Sequence, residues 1–281
     1  MNKIALISGA SSGIGASFAK SLASHAAAKK KRLALPQFDE LWLVARRLDR
    51  LQSLAAELRR IAPELIIRPV ATDLGSPGSI HDLSQELQAY SQDTAAQDTA
   101  AQNAVPISIF INNAGCGTYG DFDKTDIERS LAQLDLNCRV YTEALARLSP
   151  LLDSGAVVIN TASLAAFAPL GGFAVYAATK AYCLSLSVGL AAEWKSRGIR
   201  VCALCPGPVK SEFAMVASEG AIKEVRHGWS ADKTAELSLR DAAKGRQISM
   251  PRFVWRFRRF AGWLFGLELS AAFANRFMRR T

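Results

Sequence analysis

Near-continuous apolar runs, rich in β-branched residues, recur along the chain and alternate with stretches that carry apolar residues at helical spacing. The runs predict strands at Lys3–Ser8, Leu41–Ala45, Ile66–Ala71, Ile107–Asn112, Ala156–Thr161 and Ile199–Leu204, with a short seventh at Gln247–Met250. Helical patterns fall between them, near Gly13–Ala26, Leu48–Ala62, Ser79–Ala89, Lys124–Leu152 and Ala174–Arg197. Strands that are apolar throughout, rather than alternating, suit a sheet covered on both faces. Repeating βα units make the strands parallel. The expected fold class is α/β: one doubly wound parallel sheet of about seven strands, in a single domain.

At 281 residues, 49% hydrophobic and 21% charged, the chain is globular rather than disordered. No boundary divides residues 1–251. Two polar stretches read as loop expansions: Ala26–Arg32, and Asp93-Thr94-Ala95-Ala96-Gln97, which is repeated at once as Asp98 to Gln102. The first apolar run follows directly on Met1-Asn2-Lys3, without the charged region, longer apolar core and cleavage site of a secretory signal. Five scattered cysteines, an odd count, fit a reducing compartment. A cytoplasmic location is therefore expected. Cys202 and Cys205 form a C-x-x-C, but an odd offset on a strand sends the two side chains to opposite faces. With three histidines in the whole chain, no metal site is expected.

The net charge of +9 is unevenly placed: from Arg252 onward there are seven arginines and one acid, Glu268, and a second cluster is Lys29-Lys30-Lys31-Arg32. No nucleic-acid-binding motif accompanies this charge, so no nucleic-acid partner is expected. Residues 252–281 stand apart as a basic, aromatic C-terminal segment. On a helix, Arg252, Arg256 and Arg259 share one face, beside Phe253, Phe257, Phe260 and Leu264. The apolar part is shorter than the roughly 20 residues a spanning helix needs. Two readings stay open for this segment. It lies on an anionic membrane surface, or it covers a pocket or packs against another subunit.

The first run leads into Ser8-Gly9-Ala10-Ser11-Ser12-Gly13-Ile14-Gly15, which opens a helix. Glycines there allow a tight turn and close backbone approach to a pyrophosphate, which the helix N-terminus stabilises. At the end of the second strand the chain reads Ala45-Arg46-Arg47. An acid there would hold ribose hydroxyls, whereas arginine pairs with a 2′-phosphate, so NADP(H) is favoured over NAD(H). The third strand ends in Asp73-Leu74, placed to meet an adenine edge, and the fourth in Asn112-Asn113-Ala114-Gly115, whose small residues admit the cofactor. Farther on, Tyr176 and Lys180 are four apart and share a helical face, with Ser163 thirteen residues upstream. Lysine's charge favours a phenolate, lowering a pKa of about 10 when unperturbed. That makes tyrosine a usable general acid/base.

With these residues in this order, the chain resembles the short-chain dehydrogenase/reductase family in its compact single-domain branch. The matching residues are Gly9-x-x-x-Gly13-x-Gly15, Asn112-Asn113-Ala114-Gly115, Asn137, Ser163, Tyr176-x-x-x-Lys180 and Pro206-Gly207-Pro208-Val209, running to about Phe213. The resemblance implies a Rossmann-type fold and hydride transfer between NADP(H) and a carbonyl or secondary alcohol. Tyr176 would be the acid/base, Ser163 would hold the substrate oxygen, Lys180 would bind the nicotinamide ribose, and Asn137 would help hold a water linking Lys180 to solvent. Ser211 stands where the family usually has threonine, with a hydroxyl to bond the carboxamide. Ser8 likewise replaces a usual threonine. Relatives are usually dimers or tetramers, which implies a homodimer or homotetramer. Some relatives keep the fold and lose catalysis, so a dinucleotide-binding regulatory or scaffold protein is the alternative. Phe167, Phe173 and Phe213, with Cys116, Leu164, Leu170 and Met215, suggest an apolar pocket for a small hydrophobic carbonyl or alcohol. No basic cluster adjoins Ser163 and Tyr176 in sequence, which argues against a carboxylate or phosphorylated substrate.

Overall fold

A computed structural model describes residues 2–28, 33–96, 107–223, 225 and 228–278. Seven strands form one sheet in the order β3-β2-β1-β4-β5-β6-β7, every pair parallel. They are β1 (Ile4–Ser8), β2 (Glu40–Ala45), β3 (Ile66–Ala71), β4 (Ile107–Asn112), β5 (Leu152–Thr161), β6 (Arg200–Leu204) and β7 (Ile248–Ser249). Every residue of β1, β2 and β4 is buried, which is why these strands read as unbroken apolar runs. Alternate residues feed two cores. Leu6, Val44, Phe110 and Val158 face one layer, and Ile7, Leu43, Ile111 and Ile159 face the other. The first layer is formed by α3 (Ser79–Ala96), α5 (Tyr141–Leu148) and α6 (Ala174–Glu193), the second by α1 (Gly13–Ala27), α2 (Leu48–Ile61) and α8 (Ala231–Ala243). Strand order reverses between β1 and β4, and a doubly wound sheet opens its ligand crevice there.

The helix expected over Lys124–Leu152 is instead a series of pieces. A 3₁₀ turn at Phe122–Lys124 precedes α4 (Ile127–Leu134), a π-helical turn covers Asp135–Val140, and α5 follows. Pro150 then sits in a 3₁₀ turn, Ser149–Leu151, and Leu152 already belongs to β5. Proline ends the helix because it offers no N–H and crowds the preceding turn. Helix α8 has no counterpart in the sequence pattern. Its buried side is made of small and polar residues, Thr234, Ala235, Ser238 and Ala242 around Leu239, so it carries little hydrophobic signal. It is fastened to α1 by the Ser17 hydroxyl, which donates to Asp232 at 2.6 Å.

Helix α3 runs beyond Ala89, and residues 93–96 of the repeated segment close it; the remainder of that repeat and the Lys29–Arg32 cluster lie outside the described residues. The short helix α7 spans Phe213–Ala217. The C-terminal segment forms α9 (Phe253–Met278), broken at Gly266 (φ 76°, ψ 172°). The Ser270 hydroxyl reaches the Gly262 carbonyl at 3.4 Å, although residues eight apart on a straight helix are about 12 Å apart. Residues 253–265 and 267–278 therefore fold back on each other as a hairpin.

Candidate active site

At the C-terminal end of β1 the chain turns through Gly9 (φ 67°) and Gly13 (φ 54°). A Cβ on Gly15 would lie 2.1 Å from the Gly9 carbonyl oxygen, so only glycine lets α1 start this close to the strand. Ser12 caps α1 without a side-chain hydrogen bond. Gly13 and Ile14 at the start of the helix line the crevice, and a glycine turn leading into an uncapped helix N-terminus fits a pyrophosphate. The Ser8 hydroxyl accepts from the N–H groups of Asn113 (2.9 Å) and Ala114 (3.0 Å). Asn113 in turn donates to the Ser8 carbonyl (3.2 Å) and accepts from the Thr161 hydroxyl (3.1 Å). These bonds tie together the ends of β1, β4 and β5.

At the end of the crevice beside β2, Arg47 donates to the hydroxyls of Ser11 (3.2 Å) and Ser12 (3.0 Å), and Arg46 and Asp73 also line the crevice. Arg47 is also paired at 3.0 Å with Glu212, which Arg50 holds from the other side at 2.5 Å. Hydrogen bonds from Arg50 and Arg47 hold the Glu212 carboxyl below the usual glutamate range. Neither Glu212 nor Arg50 belongs to the sequence-derived set.

Tyr176 and Lys180 lie on the first two turns of α6. Lys180 is buried and donates to the Thr161 carbonyl at 2.8 Å, with Nζ 5.8 Å from the Tyr176 ring centre. The Tyr176 ring stands between Phe173 (centroids 5.6 Å) and Phe213 (5.3 Å). Gly117 makes room for both, since a Cβ there would meet Phe213 Cζ at 2.5 Å and Tyr176 Cδ2 at 3.3 Å. Ser163, at the end of β5, caps the turn Leu164–Phe167 by accepting from the Ala165 N–H at 3.1 Å. The Cys116 thiol beside the site is pushed up by burial, against the pull of Lys180, Arg46 and Arg129.

Asn137 sits in the π-helical turn, whose widened backbone aims the side chain inward. It accepts from the Cys116 N–H (3.0 Å) and donates to the Cys116 carbonyl (2.9 Å) and Thr179 hydroxyl (3.1 Å). Its carbonyl accepts from the Cys183 thiol at 3.3 Å. Asn137 is 1% exposed and lies behind the crevice wall, bracing β4 against α6.

One continuous cleft of about 2710 Å³ joins the two ends. A pocket for one small ligand is typically ~300–1,000 Å³, so there is room for a cofactor and a second molecule. The remaining sequence-derived residues Ile14, Leu74, Ala114, Gly115, Pro206, Gly207, Val209 and Ser211 line it, as do Cys116, Leu164, Phe167, Leu170, Phe173 and Phe213. Met215 does not: it points away on α7, 42% exposed, while Ala214 and Val216 take the wall. Cys202 and Cys205 fall in the two separate core layers, so they do not converge.

Both halves of the α9 hairpin also line the cleft, through Trp255, Arg259, Gly262, Leu269, Ser270 and Arg276 among others. Trp255 is the anchor. It is 1% exposed, and a Cβ on Gly207 would lie 2.4 Å from its Nε1. The Arg259 guanidinium lies over the Phe167 ring, 4.7 Å from its centre. A basic group therefore does adjoin the segment after Ser163, contrary to the expectation drawn from local sequence, because a residue 92 positions farther on folds back over it. Among the described residues one helical stretch is long and apolar enough to cross a membrane, Ala174–Arg197. It carries Tyr176 and Lys180 and packs on β5 and β6.

Residues 3–221 match the family profile described as short chain dehydrogenase. An uncharacterised oxidoreductase of Mycobacterium tuberculosis is 32% identical over 214 residues, 74% of either chain. A short-chain dehydrogenase from Sphingobium yanoikuyae, solved in complex with NADPH, superposes with a TM-score of 0.74 at 28% identity over 94% of both chains. The bulky-bulky ketone specific alcohol dehydrogenase from Comamonas testosteroni gives 0.68 at 26% identity, over 94% of this chain and 92% of that one. The chain belongs to the short-chain dehydrogenase family and has its Rossmann-type α/β fold.

Proposed function

We propose that this oxidoreductase uses NADP(H) to interconvert a hydrophobic carbonyl compound and its secondary alcohol, with Tyr176 as the acid/base. The observation that carries the reading is the Tyr176 hydroxyl. Among the described residues it has no hydrogen-bond partner, and it stands in the cleft shared by Ser163, Lys180 and the cofactor cradle.

When bound, the nicotinamide supplies or takes up the hydride. Tyr176 gives the carbonyl oxygen its proton in reduction and takes it back in oxidation. Ser163 donates a hydrogen bond to that oxygen, steadying the charge that develops there. Lys180, held by the Thr161 carbonyl, places a cation where negative charge builds on the tyrosine oxygen and offers donors to the ribose. The aromatic walls of Phe167, Phe173 and Phe213 exclude water and favour an apolar substrate body.

Complexes with NADPH and with NAD both occur among structures of this fold, so the choice rests on local residues. Arg46, Arg47, Ser11 and Ser12 supply donors for a 2′-phosphate and favour NADP(H). The exposed face of α6, made of small residues such as Ala178, Ser185 and Gly189 next to exposed Leu131 and Leu134 of α4, supports association with a second copy. A peripheral membrane contact rests on the outer side of α9, where Phe253, Phe257 and Leu264 are exposed. Five free cysteines suit the cytoplasm.

The test is consumption of NADPH and NADH over a panel of ketones and aldehydes, with Tyr176→Phe as control. Turnover by the wild type that the substitution abolishes is expected. Activity that survives Tyr176→Phe would sink the assignment, as would tight cofactor binding with no turnover.

A further inference from the structure

Among the described residues the cleft is lined by two acids, Asp73 and Glu212, and Glu212 is already held by Arg47 and Arg50. Lys223, Arg252, Arg259 and Arg276 line the cleft as well. Arginines of the α/β body, such as Arg68, Arg129, Arg240 and Arg246, each hold a carboxylate within 3.1 Å. Among the described residues, Arg252, Arg259 and Arg276 hold none. Arg252 lies over Trp229, 4.7 Å from its ring centre. Arg259 lies over Phe167, four residues from Ser163, at the same distance. A guanidinium held over a ring keeps N–H donors that the ring does not use, and those can receive a carboxylate with two parallel hydrogen bonds.

We infer that the substrate is amphipathic: a carbonyl or alcohol at Tyr176, an apolar body along Phe167, Phe173 and Phe213, and a distal carboxylate-type anion received by Arg259, with Arg276 a further cation lining the same cleft. This rests on the dehydrogenase reading above and adds the substrate class to it. The reaction stays balanced as before. Hydride from the nicotinamide and the Tyr176 proton convert the carbonyl to an alcohol, while the anion only anchors the molecule. Hydrogen bonds from a charged donor explain why such a substrate would be selected over its neutral analogue. The bare cations explain why the hairpin, rather than the sheet, would do the selecting.

The experiment compares medium- to long-chain oxo acids with their methyl esters, using NADPH and the full-length protein. The wild type is expected to prefer an acid over its ester by roughly 10-fold or more in kcat/KM. That ratio should fall toward one in Arg259→Gln and be partly kept in Arg259→Lys. Equal use of acid and ester by the wild type overturns the inference but leaves the dehydrogenase standing, as does a ratio unmoved in the Arg259→Gln, Arg276→Gln double variant. If nothing is turned over, calorimetry with the same acids on the NADPH-loaded protein decides. Binding weakened by Arg259→Gln keeps the anion site and removes the dehydrogenase. Absence of binding removes the anion site.

Discussion

Arg47, proposed above as a donor to a cofactor 2′-phosphate, is joined at 3.0 Å to Glu212, the residue immediately before the helix that presses Phe213 against Tyr176. The pair links the end of the cleft beside β2 to the aromatic wall around Tyr176, and on the proposed reading its carboxylate competes with a 2′-phosphate for Arg47. Both side chains are partly exposed, at 41% and 36%, so the pair is worth only ~0.2–1 kcal/mol.

Removing that competitor should help NADP⁺. Glu212→Gln is expected to lower the Kd for NADP⁺ roughly 2- to 5-fold, the size of one weak surface pair, with NAD⁺ little changed. Arg47→Leu should weaken NADP⁺ selectively. Fluorescence titration with both cofactors checks this. Weaker NADP⁺ binding in Glu212→Gln would mean that the carboxylate orients Arg47 rather than competing with the phosphate.

A second prediction concerns the fastening of the C-terminal hairpin. A methyl on Gly207 would press into the indole of buried Trp255, and overpacking of this kind costs about 1–3 kcal/mol. Gly207→Ala should therefore lower the melting temperature and raise KM by displacing the hairpin from the cleft. Adding Trp255→Phe, which removes the crowded indole nitrogen, should recover part of both. An unaltered melting temperature in Gly207→Ala would show that the contact yields freely.

The strands, their parallel sheet and the glycine turn after β1 were legible in sequence because they depend on local signals: apolar runs buried on both faces, and glycines that no other residue can replace. Tyr176 and Lys180 were legible through one helical turn. Their surroundings were not. Arg259 reaches Phe167, and Glu212 reaches Arg47, only after long excursions of the chain, and no local pattern encodes such a meeting. Asn137 was found as a residue but not as a brace, since its bonds to Cys116 and Thr179 depend on a π-helical turn inside what reads as one uninterrupted helix. Helix α8 escaped notice because small residues bury well and register weakly.

The outer face of α6 makes a third prediction. Ala178, Ala181, Ser185 and Gly189 are exposed there, with Tyr182 bonded to Thr142 at 2.6 Å. Small side chains allow a second copy's helix to approach closely. Light scattering is expected to show an oligomer, and Ser185→Arg should shift it toward monomer. A monomeric wild type at micromolar concentration would dismiss this surface.

The last prediction concerns pH and a cluster remote from the cleft. The Glu40 side chain is buried at the start of β2, where it accepts from Trp42 (3.0 Å), Arg68 (2.7 Å), Asn2 (3.1 Å) and Tyr90. Burial works to raise its pKa, but the hydrogen bonds from Tyr90, Trp42, Arg68 and Asn2 outweigh it and leave the carboxyl below its usual value. A depressed carboxyl stabilises the fold fully above its unfolded pKa, about 4.3, and loses that contribution as pH falls through the folded value. Glu40→Gln leaves Arg68 without a carboxylate between Trp42 and Tyr90, and should cost about 2 kcal/mol at neutral pH. The deficit should shrink as the pH drops below about 4.3, where the wild type protonates the same group. Urea midpoints measured at neutral pH and at successively lower pH test the sign, and a deficit that grows on acidification would refute it.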